Sequence, residues 1–292
     1  MHGLPADNWH YYEIGVHHLD GCHDLAGYVK AKSEIVEGLK QDGTLILNAD
    51  DERTKQVPVH KFKGKVMTFG IVEKADIRAT NIAYSARCMK FVIHVDGKKF
   101  SAFIPSYGEH QVYNAIAAIA AIYAMDLPIQ KAILRLRTFE PMAHHLQFLE
   151  GVSGSTIIDD TWTNNPTSIE AALNVLQELG KDKKILLVLG YINRRGRLER
   201  KYHQEIGSLV AKQDVHTLIT VGKKAQHIAR QAIADGTTAN VHSFVNIDGV
   251  LELLKPTLDS ETLLLIKGPM SSRGMKDFAE QLQVNRQQRR IR

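Results

Sequence analysis

Residues 156–168 read TIIDDTWTNNPTS, and the character of the side chains changes twice within this short stretch. The opening Thr-Ile-Ile is a β-branched, apolar run that is typical of a buried strand. Two aspartates follow it, and the closing Asn-Pro-Thr-Ser ends at the start of a predicted helix. The segment therefore predicts a strand, a polar loop and a helix in direct succession.

The same alternation continues through the rest of the C-terminal half. Helices of ten or so residues between short apolar strands indicate βαβ units, which build a parallel sheet with helices on both faces. We therefore place a domain boundary near Pro141 and predict a complete Rossmann-like α/β domain at residues 141–292. Its predicted strands are 156–158, 185–189, 217–221, 241–244 and 262–266, and its predicted helices are 168–179, 202–212, 225–234, 247–254 and 275–282.

The N-terminal half, residues 1–140, predicts a partial domain. Its opening residues are irregular, and we find no opening strand before the first helix. Asp42-Gly43 ends that helix, and Asp96-Gly97 predicts a hairpin turn. The predicted helices are 25–39, 114–125 and 129–136, and the predicted β-structure covers 44–47, 66–69 and 77–104.

Bulk properties are those of an ordinary globular protein. The 292 residues carry a net charge of +5 and only two cysteines, so no disulfide framework is implied. No run of about 18 apolar residues occurs, and no basic segment followed by an apolar stretch opens the chain. We expect a cytoplasmic protein without a membrane span. The basic residues at 194–201 and 286–292 stand beside no nucleic-acid motif, so we expect no nucleic-acid partner.

Two nucleotide-binding motifs are missing from the sequence. No G-x-G-x-x-G follows a predicted strand, which argues against a dinucleotide-dependent oxidoreductase. No G-x-x-x-x-G-K-[ST] occurs either, so the sequence has no phosphate-binding loop of that type. A zinc site built from His17, His18 and His23 is a further alternative, although short histidine clusters without a cysteine pair are more often incidental.

Four segments, taken together and in order, resemble the Mur ligases. They are residues 14–35, 47–51, 108–115 and 157–168. The Asp-Asp-x-x-x-x-Asn-Pro-x-Ser pattern of the fourth is similar to the branch that adds D-alanyl-D-alanine. Lys267-Gly268 matches the first two positions of that branch's Lys-Gly-Ser signature. The resemblance runs from about Ile14 to about Leu282.

The resemblance implies a fold and an activity. Residues 1–140 would be the remnant of a central, ATP-binding domain without its phosphate loop, and residues 141–292 the C-terminal domain. The family couples ATP cleavage to amide-bond formation on a peptidoglycan precursor, with ATP and Mg²⁺ as cofactors. A substrate carboxylate attacks the γ-phosphate, and an amine then attacks the acyl phosphate.

The resemblance also assigns residues to the site. His18 and Lys32 match a metal-binding histidine and a carbamylated lysine that act on Mg²⁺ and in catalysis. Residues that match nucleotide contacts are Asn48, His110, Asn114, His145 and Asp160. Residues that match positions near the incoming amine are Asn165, Ser168 and Lys267, while His203 matches a structural histidine. Plainer roles remain open, with Lys32 as an exposed helix lysine and Asn114 as a helix N-cap.

Several positions depart from the family pattern. His144-His145 stands where a Gly-Arg pair is expected, and His17 stands where a carboxylate is expected. Arg194 and Arg195 replace an acidic stretch, and Pro269 replaces a serine. We therefore expect the chain alone to be inactive or incomplete as a ligase, with a complementing chain as a possible partner. The alternative is a non-catalytic module that binds a nucleotide or a protein.

Overall fold

The computed structural model describes residues 6–11, 25–85, 88–192, 198–269 and 272–284. The chain forms two compact units, residues 1–140 and residues 141–292. Within the described ranges, no helix combines the length and the apolar composition that crossing a membrane requires. The three histidines proposed as a zinc site, Arg194, Arg195 and the C-terminal arginines lie outside these ranges.

The first unit is built on a six-stranded sheet whose strands follow one another in sequence order. β1 to β4 pair in parallel, whereas β4, β5 and β6 form an antiparallel meander. The predicted hairpin at Asp96-Gly97 is confirmed between β5 and β6. The strands are β1 (Ala6–Tyr11), β2 (Leu39–Asn48), β3 (Lys65–Gly70), β4 (Ile77–Ser85), β5 (Cys88–Val95) and β6 (Lys98–Ile104).

Side chains of β2 alternate between two apolar clusters, as the two-residue period of a strand requires. Ile46 belongs to the cluster that also contains the buried face of the long helix α3. Leu45 and Leu47 belong to a second cluster with residues of α1 and α2. The helices of this unit are α1 (Leu25–Ser33), α2 (Ile35–Gly38), α3 (Glu109–Ala124) and α4 (Ile129–Arg135).

Three predictions for the first unit are wrong. An opening strand does exist, because β1 pairs with β2. The first helical segment ends at Gly38, and Asp42-Gly43 lies inside β2, at a point where the β1–β2 register shifts. α3 begins at Glu109 after Gly108, whose φ of 98° favours glycine, so Asn114 lies within the helix and is not its N-cap.

The second unit is a mostly parallel sheet between helices, as the sequence predicts. Its strand order is β11-β10-β9-β12-β8-β7, and only β7, which was not predicted, runs antiparallel. The strands are β7 (Gln147–Glu150), β8 (Thr156–Asp160), β9 (Lys184–Gly190), β10 (Thr217–Val221), β11 (Asn240–Phe244) and β12 (Thr262–Lys267). The helices are α5 (Pro166–Leu179), α6 (Glu199–Ala211), α7 (Gln226–Ala234), α8 (Val250–Leu254) and α9 (Arg273–Leu282).

The chain direction across this sheet reverses once. β8 is followed by β9, β10 and β11 toward one edge, and β12 then returns to lie between β9 and β8. α8 and α9 pack against one face of the sheet, where Val250 and Phe278 join Leu264 in a single apolar cluster. In open parallel sheets, ligands bind outside the carboxyl ends of the strands at such a reversal point. A ligand-binding site is therefore expected at the carboxyl ends of β8 and β12.

Candidate active site

A buried ion pair joins the carboxyl ends of β8 and β12. Asp160 and Lys267 lie opposite each other in the register of these two strands. The Nζ of Lys267 donates to Asp160 Oδ2 at 2.5 Å and to the carbonyl oxygen of Thr163 at 2.8 Å. Because the side chain of Lys267 has 0% exposure, its ammonium depends on these protein partners. Lys267 therefore holds Asp160 and the loop after β8 together.

The second oxygen of Asp160 is also engaged. Oδ1 accepts a hydrogen bond from the backbone N–H of Leu146, at 3.3 Å. The carboxylate thus connects β12 to the turn that precedes β7. The resemblance to the family assigned Asp160 to the nucleotide and Lys267 to the amine. The structure brings these two side chains into direct contact.

The loop after β8 ends in a capping box at the start of α5. The Oδ1 of Asn165 accepts from the backbone N–H of Ser168 at 2.8 Å, and the Oγ of Ser168 accepts from the backbone N–H of Asn165 at 3.1 Å. Pro166 fills the first helical position. This reciprocal arrangement satisfies two backbone donors and fixes where α5 begins. Two of the three predicted amine-site residues, Asn165 and Ser168, therefore shape the helix start at the sheet edge.

A third connection ties the same loop to β9. The Nδ2 of Asn164 donates to the carbonyl oxygens of Gly190 and Tyr191, at 3.1 Å and 2.7 Å. Gly190 itself lies so close to the chain after β12 that an added Cβ would stand 3.1 Å from the Cα of Gly268. Three strand ends thus meet within one tightly packed region.

An aromatic pair lies on the surface of this region. The rings of His145 and Trp162 are 5.2 Å apart between centroids, and Trp162 is 42% exposed. The Nδ1 of His145 lies 3.0 Å from the carbonyl oxygen of Ala143. His145, which the family resemblance assigned to the nucleotide, is therefore held at the accessible side of the sheet edge.

The first unit has its own polar cluster, at the carboxyl end of β2. Asn48 is buried, and its Oδ1 accepts from the backbone N–H of Asp50 at 3.0 Å. The carboxylate of Asp50 then accepts from the Tyr113 hydroxyl at 2.7 Å and from three backbone N–H groups after β3. One aspartate thus connects the end of β2, the loop after β3 and helix α3.

These hydrogen bonds set the charge state of Asp50. Burial by itself raises the pKa of this carboxyl group, but the donors from Ile71, Tyr113, Glu73 and Val72 together outweigh it and hold the pKa below its ordinary value. Gly70 leaves room for the carboxylate, since an added Cβ would lie 3.1 Å from both of its oxygens. Asp50 is therefore a fixed anion that anchors this sheet edge.

Helix α3 presents two of the predicted nucleotide contacts next to this anchor. His110 and Asn114 lie one turn apart, and Asn114 directly follows Tyr113. The side chain of Asn114 is exposed and donates to Gln111 Oε1 at 3.2 Å. The Asp50–Tyr113 bond thus fixes α3 relative to the loop that carries Asn48.

Only one residue of the predicted metal site, Lys32, lies within the described residues. The side chain of Lys32 is exposed on α1, with its Nζ 5.6 Å from the ring centroid of Tyr28. His18 lies outside the described ranges. Among the residues that the structure does describe, no three histidine, cysteine, aspartate or glutamate side chains group as metal ligands.

His203 is hydrogen-bonded to the segment after β9. Its Nε2 accepts from the backbone N–H of Ile192 at 2.9 Å, and its Nδ1 lies 2.7 Å from the carbonyl oxygen of Glu199. Burial lowers the pKa of this imidazole more than the nearby Glu199 raises it. The neutral form is needed to accept from Ile192, which suits a structural role.

Sequence reasoning missed Asp50, Tyr113, Asp159 and Thr163. Asp50 and Asp159 stand inside the quoted acidic motifs, so the motifs themselves were the available signal. The partners of these aspartates come from distant parts of the chain, and spacing alone does not reveal them.

Comparison with known proteins places both units in one family. The model of the Mur ligase middle domain matches residues 12–122, and the model of the Mur ligase, glutamate ligase domain, matches residues 145–270. UDP-N-acetylmuramoyl-tripeptide–D-alanyl-D-alanine ligase of Bacillus subtilis is 30% identical over 263 residues, which are 90% of this chain and 56% of the relative. The chain thus spans little more than half the length of the curated relatives it matches.

Solved structures agree with this placement. MurF from Acinetobacter baumannii superposes with a TM-score of 0.81 at 26% identity, over 94% of this chain and 60% of that one. MurF from Thermotoga maritima, solved in complex with ADP, has the same fold with a TM-score of 0.80 at 17% identity, over 95% and 62% of the two chains. With both domain models matched and the Asp160–Ser168 motif at the sheet edge, the chain belongs to the Mur ligase family.

Proposed function

We propose that the chain works in ATP-dependent amide-bond formation between a carboxylate of a peptidoglycan precursor and an incoming amine. The observation that carries the proposal is the loop from Asp160 to Ser168, in which the motif of the D-alanyl-D-alanine-adding branch is folded at the reversal point of the sheet. The names of the most similar relatives suggest the substrates, UDP-N-acetylmuramoyl-tripeptide and D-alanyl-D-alanine.

We assign the adenine of ATP to the first unit. The carboxamide of Asn114 is exposed on α3, and an amide can both donate to and accept from an adenine edge. Asn48 and His110 belong to the same proposed site. Asp50 fixes the residues around it through its hydrogen bonds with Asn48 and with Tyr113 on α3. In the proposed reaction Lys32 and His18 would hold Mg²⁺, which neutralises phosphate charge.

We assign the second unit to the amine and to further nucleotide contacts. Asn165, Ser168 and Lys267 shape the proposed amine side, and His145 and Asp160 the proposed nucleotide side. A phosphate-binding loop, supplied by a further segment or by a complementing chain, would hold the β- and γ-phosphates. That loop would supply the phosphate contacts that the two half-reactions of a Mur ligase need.

Calorimetric titration with ATP and Mg²⁺ tests the nucleotide assignment. We expect Asn114→Ala to weaken ATP binding about 5- to 30-fold, the equivalent of losing one or two hydrogen bonds. Gln130→Ala is the matched control, because it removes an exposed amide from another helix of the same unit and should leave binding unchanged. Equal affinities for all three proteins would refute the assignment of adenine to α3.

Synthesis tests the reaction itself. The chain is incubated with ATP, UDP-N-acetylmuramoyl-tripeptide and D-alanyl-D-alanine, with and without a protein fragment that carries a phosphate-binding loop. We expect ADP and the extended peptide in equal amounts, and only when the dipeptide is present. A chain that binds ATP but gives no product with any such fragment would favour a non-catalytic, nucleotide-binding role.

A further inference from the structure

His144 has an unusual backbone conformation beside the proposed site. Its φ of 63° lies in the left-handed region, which is unfavourable for a residue with a side chain. Its backbone N–H donates to Gln147 Oε1 at 3.1 Å, and its carbonyl oxygen accepts from the backbone N–H of Trp162 at 3.2 Å. Non-glycine residues keep such conformations where the surrounding contacts hold them, and they cluster at functional sites.

The imidazole of His144 is oriented by a buried carboxylate. Its Nδ1 lies 2.7 Å from Asp159 Oδ2, and the Asp159 side chain is only 1% exposed. The other oxygen, Oδ1, accepts from the backbone N–H and the hydroxyl of Thr161, at 3.2 Å and 2.7 Å. An ionised carboxylate can only accept, so the hydrogen bond with Asp159 places a proton on Nδ1, and in the neutral form of the ring Nε2 is the nitrogen with the lone pair.

That lone pair is free to receive a proton. Within the described part of the chain, the hydrogen bonds of His144 involve its backbone and Nδ1, and none involves Nε2. The side chain is 15% exposed, so the ring is reachable from outside. A histidine whose Nδ1–H donates to an aspartate is arranged as a general base. The carboxylate fixes the tautomer, and it stabilises the imidazolium that forms when Nε2 takes up a proton.

The turn that carries His144 contacts Asp160, which is paired with Lys267 of the proposed amine side. Leu146, two residues after His144, donates its backbone N–H to Asp160 Oδ1 at 3.3 Å. The same short turn therefore carries the His144 imidazole and contacts the ion pair of Asp160 and Lys267. Among the described residues, the charged side chains in these ion pairs beside the turn are Asp159, Asp160 and Lys267.

We propose that Nε2 of His144 accepts the proton of the incoming ammonium group, with Asp159 as its positioning residue; this rests on the proposed function. The ammonium R–NH₃⁺ gives one proton to Nε2, and the resulting amine attacks the carbonyl carbon of the acyl phosphate. The C–N bond forms and the C–O bond to phosphate breaks. The second proton lost by nitrogen leaves with the phosphate as HPO₄²⁻, and the imidazolium returns its proton to water.

The first test is spectroscopic and needs no turnover. Nitrogen NMR of the histidine side chains should show the Nδ1–H tautomer at His144, and Asp159→Asn should change that signal. A His144 ring protonated only on Nε2 would overturn the proposal, because such a nitrogen has no lone pair to offer.

The second test asks whether an amine reaches His144. The full chain is carbethoxylated with diethyl pyrocarbonate, with and without D-alanyl-D-alanine, and each modified histidine is followed by mass spectrometry. We expect the dipeptide to slow modification of His144 at least threefold and to leave the exposed His216 unchanged. Propionyl-D-alanine, which lacks the amino group, should protect poorly. Equal protection by both compounds, or no protection, would overturn the proposal.

The third test separates a base from a structural brace. In the ligase assay, His144→Gln should lower kcat about 100-fold or more and change KM for the dipeptide little, which is the usual loss for a general base. His216→Gln is the control. Unchanged kcat in His144→Gln would overturn the proposal. Absence of ATP binding by the unmodified chain, even with a fragment that carries a phosphate-binding loop, would instead refute the proposed function. ATP binding without protection of His144 refutes only this inference.

Discussion

Replacing Lys267 with methionine should destabilise the second unit more than any other single change at its sheet edge. Methionine fits the apolar path of the lysine stem but removes the ammonium, which has 0% exposure. Asp160 then keeps one long backbone hydrogen bond, at 3.3 Å, and its charge stays buried without a counter-charge. Breaking one partner of a buried pair costs about 3–5 kcal/mol of unfolding free energy, and we expect a loss in that range.

Trp162 provides the local reporter for this experiment. It lies in the loop that Lys267 holds, and Trp9 is the other tryptophan of the sequence. In a Trp9→Phe background, urea unfolding followed by fluorescence therefore reports the second unit. Lys183→Met is the matched control, because its ion pair with Glu261 is largely exposed and should contribute less than about 1 kcal/mol.

A double variant checks the cause of the effect. Adding Asp160→Asn to Lys267→Met removes the buried negative charge, so the double variant should lose clearly less stability than the two single losses combined. A Lys267→Met loss below about 1 kcal/mol, equal to that of the Lys183→Met control, would show that the ammonium contributes nothing beyond its stem. Strictly additive losses would show that the two side chains do not act as a pair.

Three further changes probe the anchors of both units. Tyr113→Phe should cost about 1.5–3 kcal/mol in urea unfolding and raise the pKa of Asp50, measured by carboxyl NMR, since a hydrogen bond to a charged group is lost. Gly70→Ala should cost about 1–3 kcal/mol by the same assay, because its Cβ would crowd the carboxylate of Asp50. Burial lowers the pKa of His203 below its ordinary 6.5, so below that pH the unfolded state binds more protons than the folded state. The contribution of His203 to the free energy of unfolding should be full above pH 6.5 and fall below it by up to about 1.4 kcal/mol per pH unit. Urea unfolding at several pH values should show this slope, and His203→Gln should remove the contribution of His203 to it.

The alternation of the second unit was predictable because each element is encoded locally. β10 is found at the predicted residues, and β12, which is buried at every position, contains the continuous apolar run Leu263 to Ile266. Such runs are typical of central parallel strands, which are covered on both faces. The local sequence Asn-Pro-x-Ser likewise indicated a helix start, and the structure shows a capping box there, at Asn165.

β1 was missed because its sequence carries little local signal. Ala6–Tyr11 reads ADNWHY, which has no apolar alternation, and its strand conformation comes from pairing with β2. The start of α3 was placed too late because the Ala- and Ile-rich stretch begins near Asn114. Glu109 in the first turn and the left-handed Gly108 start the helix earlier.

The side-chain partners of the candidate sites lie beyond sequence reasoning for a different reason. Asp50 and Tyr113 are 63 residues apart, and Asp160 and Lys267 are 107 residues apart. No spacing rule for a helix or a strand links such positions, so only the folded sheet brings them together. Family resemblance named Asp160 and Lys267 separately, but the bond between them is a property of the tertiary structure.

The position of β12 has a consequence for how the second unit folds. Without residues 262–267, β8 with β7 and β9 with β10 and β11 have no common neighbour, so the sheet exists only as two separate pieces. The two halves are joined when β12 pairs with both of them, an event of high contact order because Leu263 of β12 pairs with Thr156 of β8, and contacts of this kind slow folding. Because the Asp160–Lys267 pair forms in that same event, completion of the sheet and assembly of the proposed site are one step, and a nascent chain cannot have the second before the first.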